Sequence, residues 1–392
     1  MTRLPVGGPA LADRLLSPGD NDLGAIDLTT AASAAPPGVA SAYEAAVAEL
    51  PSYLSGTGYY PSGLPALREQ IARRYDERGL PTRPEQIVVT SGALAGIAVA
   101  ARAFTGPGDR ILVESPTYPN AIAALRRAGR LVSTPVDPTG WDVEALAAAV
   151  RQTAPRLAYL IPDFQNPTGR LMTAAERADV GAALTRAHSL TVVDETLVDI
   201  DLDAAAMPAP MAAHAADSVT VGSASKAFWG GLRIGWLRAP DHLIGALVGS
   251  RLTVDLGAPL LEQLVLTELL SNPAAVLAHQ RERQRERRDA LAGALASTLQ
   301  DWRFQVPHGG MSLWCELPEP LSSALAVSAE RHGVLVAPGG SFSPEGGLES
   351  FIRLPYTRPA EELVDAVQRL ATAWDDARRH RVTTGGRSPL VA

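Results

Sequence analysis

Seven short apolar runs constrain the chain more than any other feature. They are Ile87–Val89, Ile111–Val113, Leu131–Val136, Leu157–Ile161, Thr191–Val193, Ser218–Val221 and Ile234–Leu237. Helical stretches separate most of the first five: Ala93–Phe104, Asn120–Ala128, Val143–Val150 and Ala174–Ala187. Strand and helix alternating at this pitch predict an α/β fold, with an open, mainly parallel seven-stranded sheet covered by helices on both faces.

The flanking regions differ in character. Residues 1–40 are rich in Gly, Pro and Ala and read as an arm with one strand near Ala25–Leu28. A larger domain is expected over residues 41–272, and it includes a loop of turn residues from Tyr53 to Pro65. A long helix begins near Pro273 and carries Arg281, Arg283, Arg285, Arg287 and Arg288. Glu282, Glu286 and Asp289 are interleaved with them, so a solvated helix linking two domains is expected rather than a nucleic-acid surface. Shorter alternating strands and helices follow from Phe304, so residues 273–379 read as the linking helix and a smaller α+β domain that the arm completes. Residues 380–392 read as a disordered tail.

A chain of 392 residues with 46% hydrophobic and 20% charged side chains can bury a sizeable core. The net charge of −7 argues against nucleic acid as a partner. Cys315 is the single cysteine, which leaves no disulfide framework and no cysteine metal cluster. No signal-peptide core and no membrane-length apolar run are visible, so the expected compartment is the cytoplasm.

Of 35 Lys and Arg residues, Lys226 is the one lysine. Arginine cannot give up its proton at ordinary pH, whereas a lysine amine can. A deprotonated lysine acts as a base, a phosphate contact, or a nucleophile that forms a Schiff base with a carbonyl. Ser223, Ser225 and Arg233, all phosphate-binding types, surround it. A phosphate beside an aldehyde-trapping amine points to pyridoxal 5′-phosphate (PLP). Ser91-Gly92-Ala93, between a strand and a helix, is a second candidate phosphate contact, although such a junction also serves as an ordinary cap. Asp194 ends the Thr191–Val193 strand, where ligands of parallel sheets bind, and Glu195, next to it, is the weaker candidate for the same role. A carboxylate there suits the PLP ring nitrogen, because the protonated ring is the better electron sink. Asn166, in Asn166-Pro-Thr-Gly169 after the Leu157–Ile161 strand, can donate to the ring oxygen.

Ser223-Ala-Ser-Lys226 followed by Gly231-Leu-Arg233-Ile-Gly235 resembles the lysine motif of the class I/II (fold type I) PLP-dependent aminotransferases. The spacing is most similar to the aminotransferase-like domain of MocR-type (GntR-family) regulators. Asn166-Pro-Thr-Gly169, Asp194 and a late arginine follow in family order, and the resemblance spans residues 25–375. It implies a phosphate cup of Ser91, Gly92, Ala93, Ser223, Ser225 and Arg233. Tyr118 is implied as the aromatic stacked on the PLP ring, and Arg353 as the fork that grips the substrate α-carboxylate. Arg358 is a nearby competitor for that role. Tyr59 or Tyr60 is implied to reach the phosphate of a neighbouring subunit, which makes the protein a homodimer with a shared active site. Where family members often carry a tyrosine shortly after the aspartate, this chain has Thr196 and Leu197.

The expected function is transamination of an α-amino acid through Lys226. Elimination, replacement, carbon–carbon bond formation and racemisation are alternatives that use the same carbanion. A truncated effector-sensing regulator is a further alternative, disfavoured because no winged helix fits before residue 25. Ser223-x-x-Lys226 also matches a serine–lysine acylation motif, but that chemistry needs a second lysine.

Overall fold

The computed structural model of the chain describes residues 24–137, 140–204 and 206–384. In chain order its strands are β1 (Ile26–Leu28), β2 (Ile87–Thr90), β3 (Arg110–Ser115), β4 (Arg130–Asp137), β5 (Gly140–Trp141), β6 (Leu157–Leu160), β7 (Leu190–Asp194), β8 (Ser218–Ser223) and β9 (Gly235–Arg238). After a long helix come β10 (Arg303–Phe304), β11 (Ser312–Glu316), β12 (Val334–Pro338) and β13 (Phe351–Pro355).

The larger sheet has the order β2-β9-β8-β7-β6-β3-β4-β5. All seven expected strands are in it. The eighth, β5, pairs antiparallel with the end of β4, and two residues are too few to leave a periodic signal. Pairing from β8 through β7, β6 and β3 to β4 is parallel, while β9 runs antiparallel to both neighbours. Helices Pro119–Ala128, Val143–Thr153 and Ala174–Arg186 connect the parallel strands and cover the sheet. Double coverage explains the unbroken apolar runs. In β6, Leu157 and Tyr159 pack into one layer and Ala158 and Leu160 into the other, all four fully buried.

A second sheet has the order β1-β12-β13-β11-β10. The arm strand β1 pairs parallel with β12, and Ile26 and Leu28 join a core with Leu313, Ile352 and Leu354. Helix Ala274–Thr298 packs Leu291 and Leu295 into the same core. Most of its arginines depart from the solvated face expected: Arg288 is buried and Arg281, Arg283 and Arg287 are half-buried, while Arg285 is exposed. Arg281 and Arg285 donate to the carbonyls of Asp199 and Leu202, Arg287 to that of Thr357, and Arg288 to Asp203 and Pro307. The interleaved acids hid this, because most of the partners are carbonyls on distant segments, the Asp203 carboxylate that meets Arg288 being the exception. The last helix, Ala360–Thr384, runs past the point where a tail was expected. Residues 385–392 of that tail, and residues 1–23 of the arm, lie outside the described residues.

Candidate active site

Strands β2, β3, β6, β7 and β8 all end at one rim of the larger sheet, and β11 and β13 approach from the other side. Between them lies a cavity of about 440 Å³, within the range of small-molecule sites. Lys226, Asp194, Tyr118, Asn166, Arg353 and Arg233 all line it, with Ala93, Ser223 and Ser225. Residues separated by most of the chain are therefore brought to one place.

Lys226 Nζ donates to the carbonyl of Ala31, in the arm, at 2.6 Å. Burial pushes its pKa down to about 8; the nearby Arg353 guanidinium adds to this and Asp194 opposes it. The amine is thus readily freed of its proton. Asp194 is almost fully buried, which raises its pKa above the usual carboxylate range. Its Oδ1 accepts the Thr196 N–H at 2.9 Å and its Oδ2 the Tyr159 hydroxyl at 2.7 Å. Glu195, the weaker sequence candidate, points away from the cavity to an ion pair with Arg78.

Arg353 is 6% exposed. Its Nη1 donates to Asn166 Oδ1 at 3.3 Å, its Nη2 to the Thr29 carbonyl, and its guanidinium lies 4.9 Å from the Phe342 ring centroid. Its Nε has no partner among the described residues. Arg358 instead forms an i,i+4 ion pair with Glu362 at 2.7 Å.

Of the Ser91-Gly92-Ala93 trio only Ala93, where the helix starts, lines the cavity; Ser91 Oγ donates to Asp255 Oδ2 at 3.2 Å. Arg233 has a φ of 51°, a left-handed conformation that costs a non-glycine residue about 1–2 kcal/mol. Its Nη2 lies 3.4 Å from the Ser91 carbonyl. Ser223 Oγ accepts the Ser225 N–H at 3.1 Å, so the lysine loop curls with its polar groups inward. Gly235 explains the end of the lysine motif. A Cβ there would sit 2.6 Å from the Gly92 carbonyl carbon and 2.7 Å from the Ala93 nitrogen, both backbone. Gly235→Ala is therefore expected to destabilise the fold by about 1–3 kcal/mol and to weaken PLP binding. Thermal melts and a cofactor titration check both effects.

Tyr118 is half-buried, and its hydroxyl accepts from Asn120 Nδ2 at 3.0 Å. Tyr59 and Tyr60 do not reach the cavity of their own chain. Tyr60 packs edge-on against Tyr53, 6.4 Å between centroids, whereas Tyr59 is 64% exposed. Sequence reasoning missed several of the cavity walls: Thr29 to Ala32 from the arm, Phe164, and Met311 and Ser312 from the start of β11. It also missed Tyr159, which reads as core in an apolar strand.

The fold and the cavity at its carboxyl rim place the chain among the fold type I PLP-dependent enzymes. The solved structure of LysN, the α-aminoadipate aminotransferase of Thermus thermophilus, matches with a TM-score of 0.84 at 28% identity, over 95% of this chain and 96% of that one. A profile of "Aminotransferase class I and II" matches residues 27–370, and the chain belongs to that family. It is a PLP-dependent aminotransferase. A 2-aminoadipate transaminase of Thermus thermophilus is 32% identical over 300 residues, 74% of this chain and 76% of the relative. An HTH-type transcriptional regulator of Escherichia coli is also 32% identical, over 75% of this chain but 64% of its own length.

Proposed function

We propose that this aminotransferase acts on α-amino acids, with Lys226 carrying the cofactor and moving the proton. The observation that carries the reading is the grouping of a readily deprotonated amine, a buried carboxylate and a buried arginine without an ion-pair partner around one cavity. The donor set fits PLP. Ser91, Gly92, Ala93, Ser223, Ser225 and Arg233 would hold the phosphate, aided by the helix N-terminus. Asp194 would meet the ring nitrogen, Tyr118 would cover the ring face, and the Asn166 amide N–H would meet the ring oxygen.

When bound, PLP supplies an aldehyde for the amine and a ring that withdraws the electron pair left at substrate Cα. Lys226 Nζ would hold the cofactor through that aldehyde and, once free, would take the proton from substrate Cα and give it up again, as general base and then general acid. Arg353 orients the substrate by gripping its carboxylate, and the walls from the arm and β11 exclude water. Return of the proton to Cα is the competing outcome.

Capture of PLP by the apoenzyme requires the neutral amine. Lys226 is protonated below its pKa, so the capture rate should rise with pH and be half-maximal near pH 8. Stopped-flow absorbance across about pH 6.5 to 9.5, a window that brackets the lysine titration, measures this. A rate flat across that range would contradict a lysine nucleophile of this pKa.

The active form is proposed to be a cytoplasmic homodimer. Leu54, Tyr59, Val254 and Leu256 are large exposed apolar side chains, 70%, 64%, 57% and 51% accessible. The two loops that carry them touch, since Gly257 lies against Tyr60 and Arg251 bonds the Pro61 carbonyl. A second copy seated there would bring its own Tyr59 toward this phosphate cup. The function is tested by adding single amino acids to the holoenzyme without keto acid. One equivalent of keto acid, with loss of the yellow cofactor band, is expected. Product formed catalytically, with the yellow band retained, would mean another reaction class.

A further inference from the structure

Tyr159 lies in the middle of the parallel sheet, yet its hydroxyl does not end among apolar atoms. It donates to Asp194 Oδ2 at 2.7 Å. Register explains the reach. Tyr159 stands opposite Val192 in β7, and Asp194 is two residues further along the same face. Side chains on a strand lean along its direction, and an aromatic ring spans the diagonal between neighbouring strands. Asp194 is stabilised by hydrogen bonds from Thr196 and Tyr159 and, at longer range, by the charge of Lys226. Glu114 on β3, fully buried and held by Trp141 and Gln165, has its own pKa raised to about 7, first by burial and in smaller part by the Asp194 charge.

We propose that Tyr159 is a positioning residue for the reaction: its hydroxyl keeps Asp194 an oriented carboxylate, so that the proton shared with the cofactor ring stays on the ring nitrogen. The proposal rests on the reading of Asp194 as the partner of that nitrogen. A phenol has one proton, and it can serve only as a permanent donor if it never titrates. Burial, then the Asp194 charge, push the Tyr159 pKa well above that of an ordinary tyrosine, so the O–H persists at any working pH. A hydrogen bond to a charged acceptor shifts the balance between carboxylate and acid by about tenfold to a hundredfold. Without it, only the Thr196 hydrogen bonds and the Lys226 charge oppose the burial of Asp194, the balance moves toward the neutral acid, and the ring would lose part of the positive charge that draws electrons from Cα.

The test is Tyr159→Phe in the holoenzyme reconstituted with PLP labelled with ¹⁵N in the ring. The wild-type nitrogen signal should be that of a protonated ring. In Y159F it should move toward neutral pyridine, with PLP held about tenfold more weakly and kcat reduced. A variant that melts like wild type with an unmoved nitrogen signal overturns the proposal. If Y159F does not fold, 3-fluorotyrosine at position 159 keeps the ring and makes the hydroxyl a stronger donor. The signal should then stay with the protonated ring, and a shift toward neutral overturns the proposal. Asp194→Asn separates the two readings. It should abolish the protonated-ring signal, and if that signal persists the assignment of Asp194 itself fails. A responsive D194N beside an unresponsive Y159F removes only the role of Tyr159.

Discussion

Replacing Lys226 by alanine is expected to lower kcat for transamination by about 10⁴-fold, because the proposed mechanism assigns both the covalent link and the proton transfer to this one side chain. The chain offers no substitute, since Lys226 is its one lysine. Lys226→Arg should be equally inactive. It keeps a positive charge on a long stem, but a guanidinium holds its proton at ordinary pH and cannot form the link. Neither variant should cost much stability, because the amine's hydrogen bond goes to a single carbonyl, that of Ala31. Borohydride reduction followed by peptide mass spectrometry reads the link directly. Wild type should show the cofactor mass on the Lys226 peptide and the variants none. Retention of a reducible link in K226A would force the attachment onto some other amine and undo the assignment.

The features that the sequence made legible were those written in short stretches. Asp194 is the last residue of its strand, Asn166-Pro-Thr-Gly169 is contiguous, and the lysine loop is the one connection between β8 and β9. What escaped depended on pairing between distant segments. Tyr159 looks like any core residue until β6 is set beside β7 in a register that opposes it to Val192. The arm walls Thr29 to Ala32 reach the cavity because β1 pairs with β12, some three hundred residues away in sequence. Tyr59 and Tyr60 could not be told apart in sequence because their loop is one residue shorter than the family pattern; in the fold Tyr60 packs on Tyr53 and Tyr59 is the exposed member. Charge patterning failed for helix Ala274–Thr298 for a similar reason. Alternating acids and arginines describe a solvated surface, but backbone carbonyls at Asp199, Leu202 and Thr357 make equally good acceptors and leave no mark in composition.

Arg353 yields a prediction in which activity and stability move in opposite directions. A buried guanidinium is costly unless it is paired. This one has the Thr29 carbonyl, the Asn166 amide oxygen and the Phe342 ring around it, with Nε unpartnered. Burial pulls its pKa down to about 10, with partial compensation from Tyr118 and Asp27, so it stays charged at neutral pH. A charge kept in such a place is stabilised fully only when an anionic ligand arrives. Arg353→Met removes the charge and fills much of the volume. The apoenzyme should then melt at or above the wild-type temperature, as when buried charges are replaced by apolar groups of similar size. Loss of the carboxylate contact proposed for Arg353 should nevertheless lower kcat/KM for an α-amino acid by about 10²–10³-fold, mostly through KM. The sharper readout is selectivity. Wild type should prefer an amino acid over the amine that lacks its carboxylate, and the variant should lose that preference because the amine never used Arg353. A variant that keeps the preference, or that melts far below wild type with its activity intact, would make Arg353 a structural residue and leave the carboxylate to be gripped elsewhere.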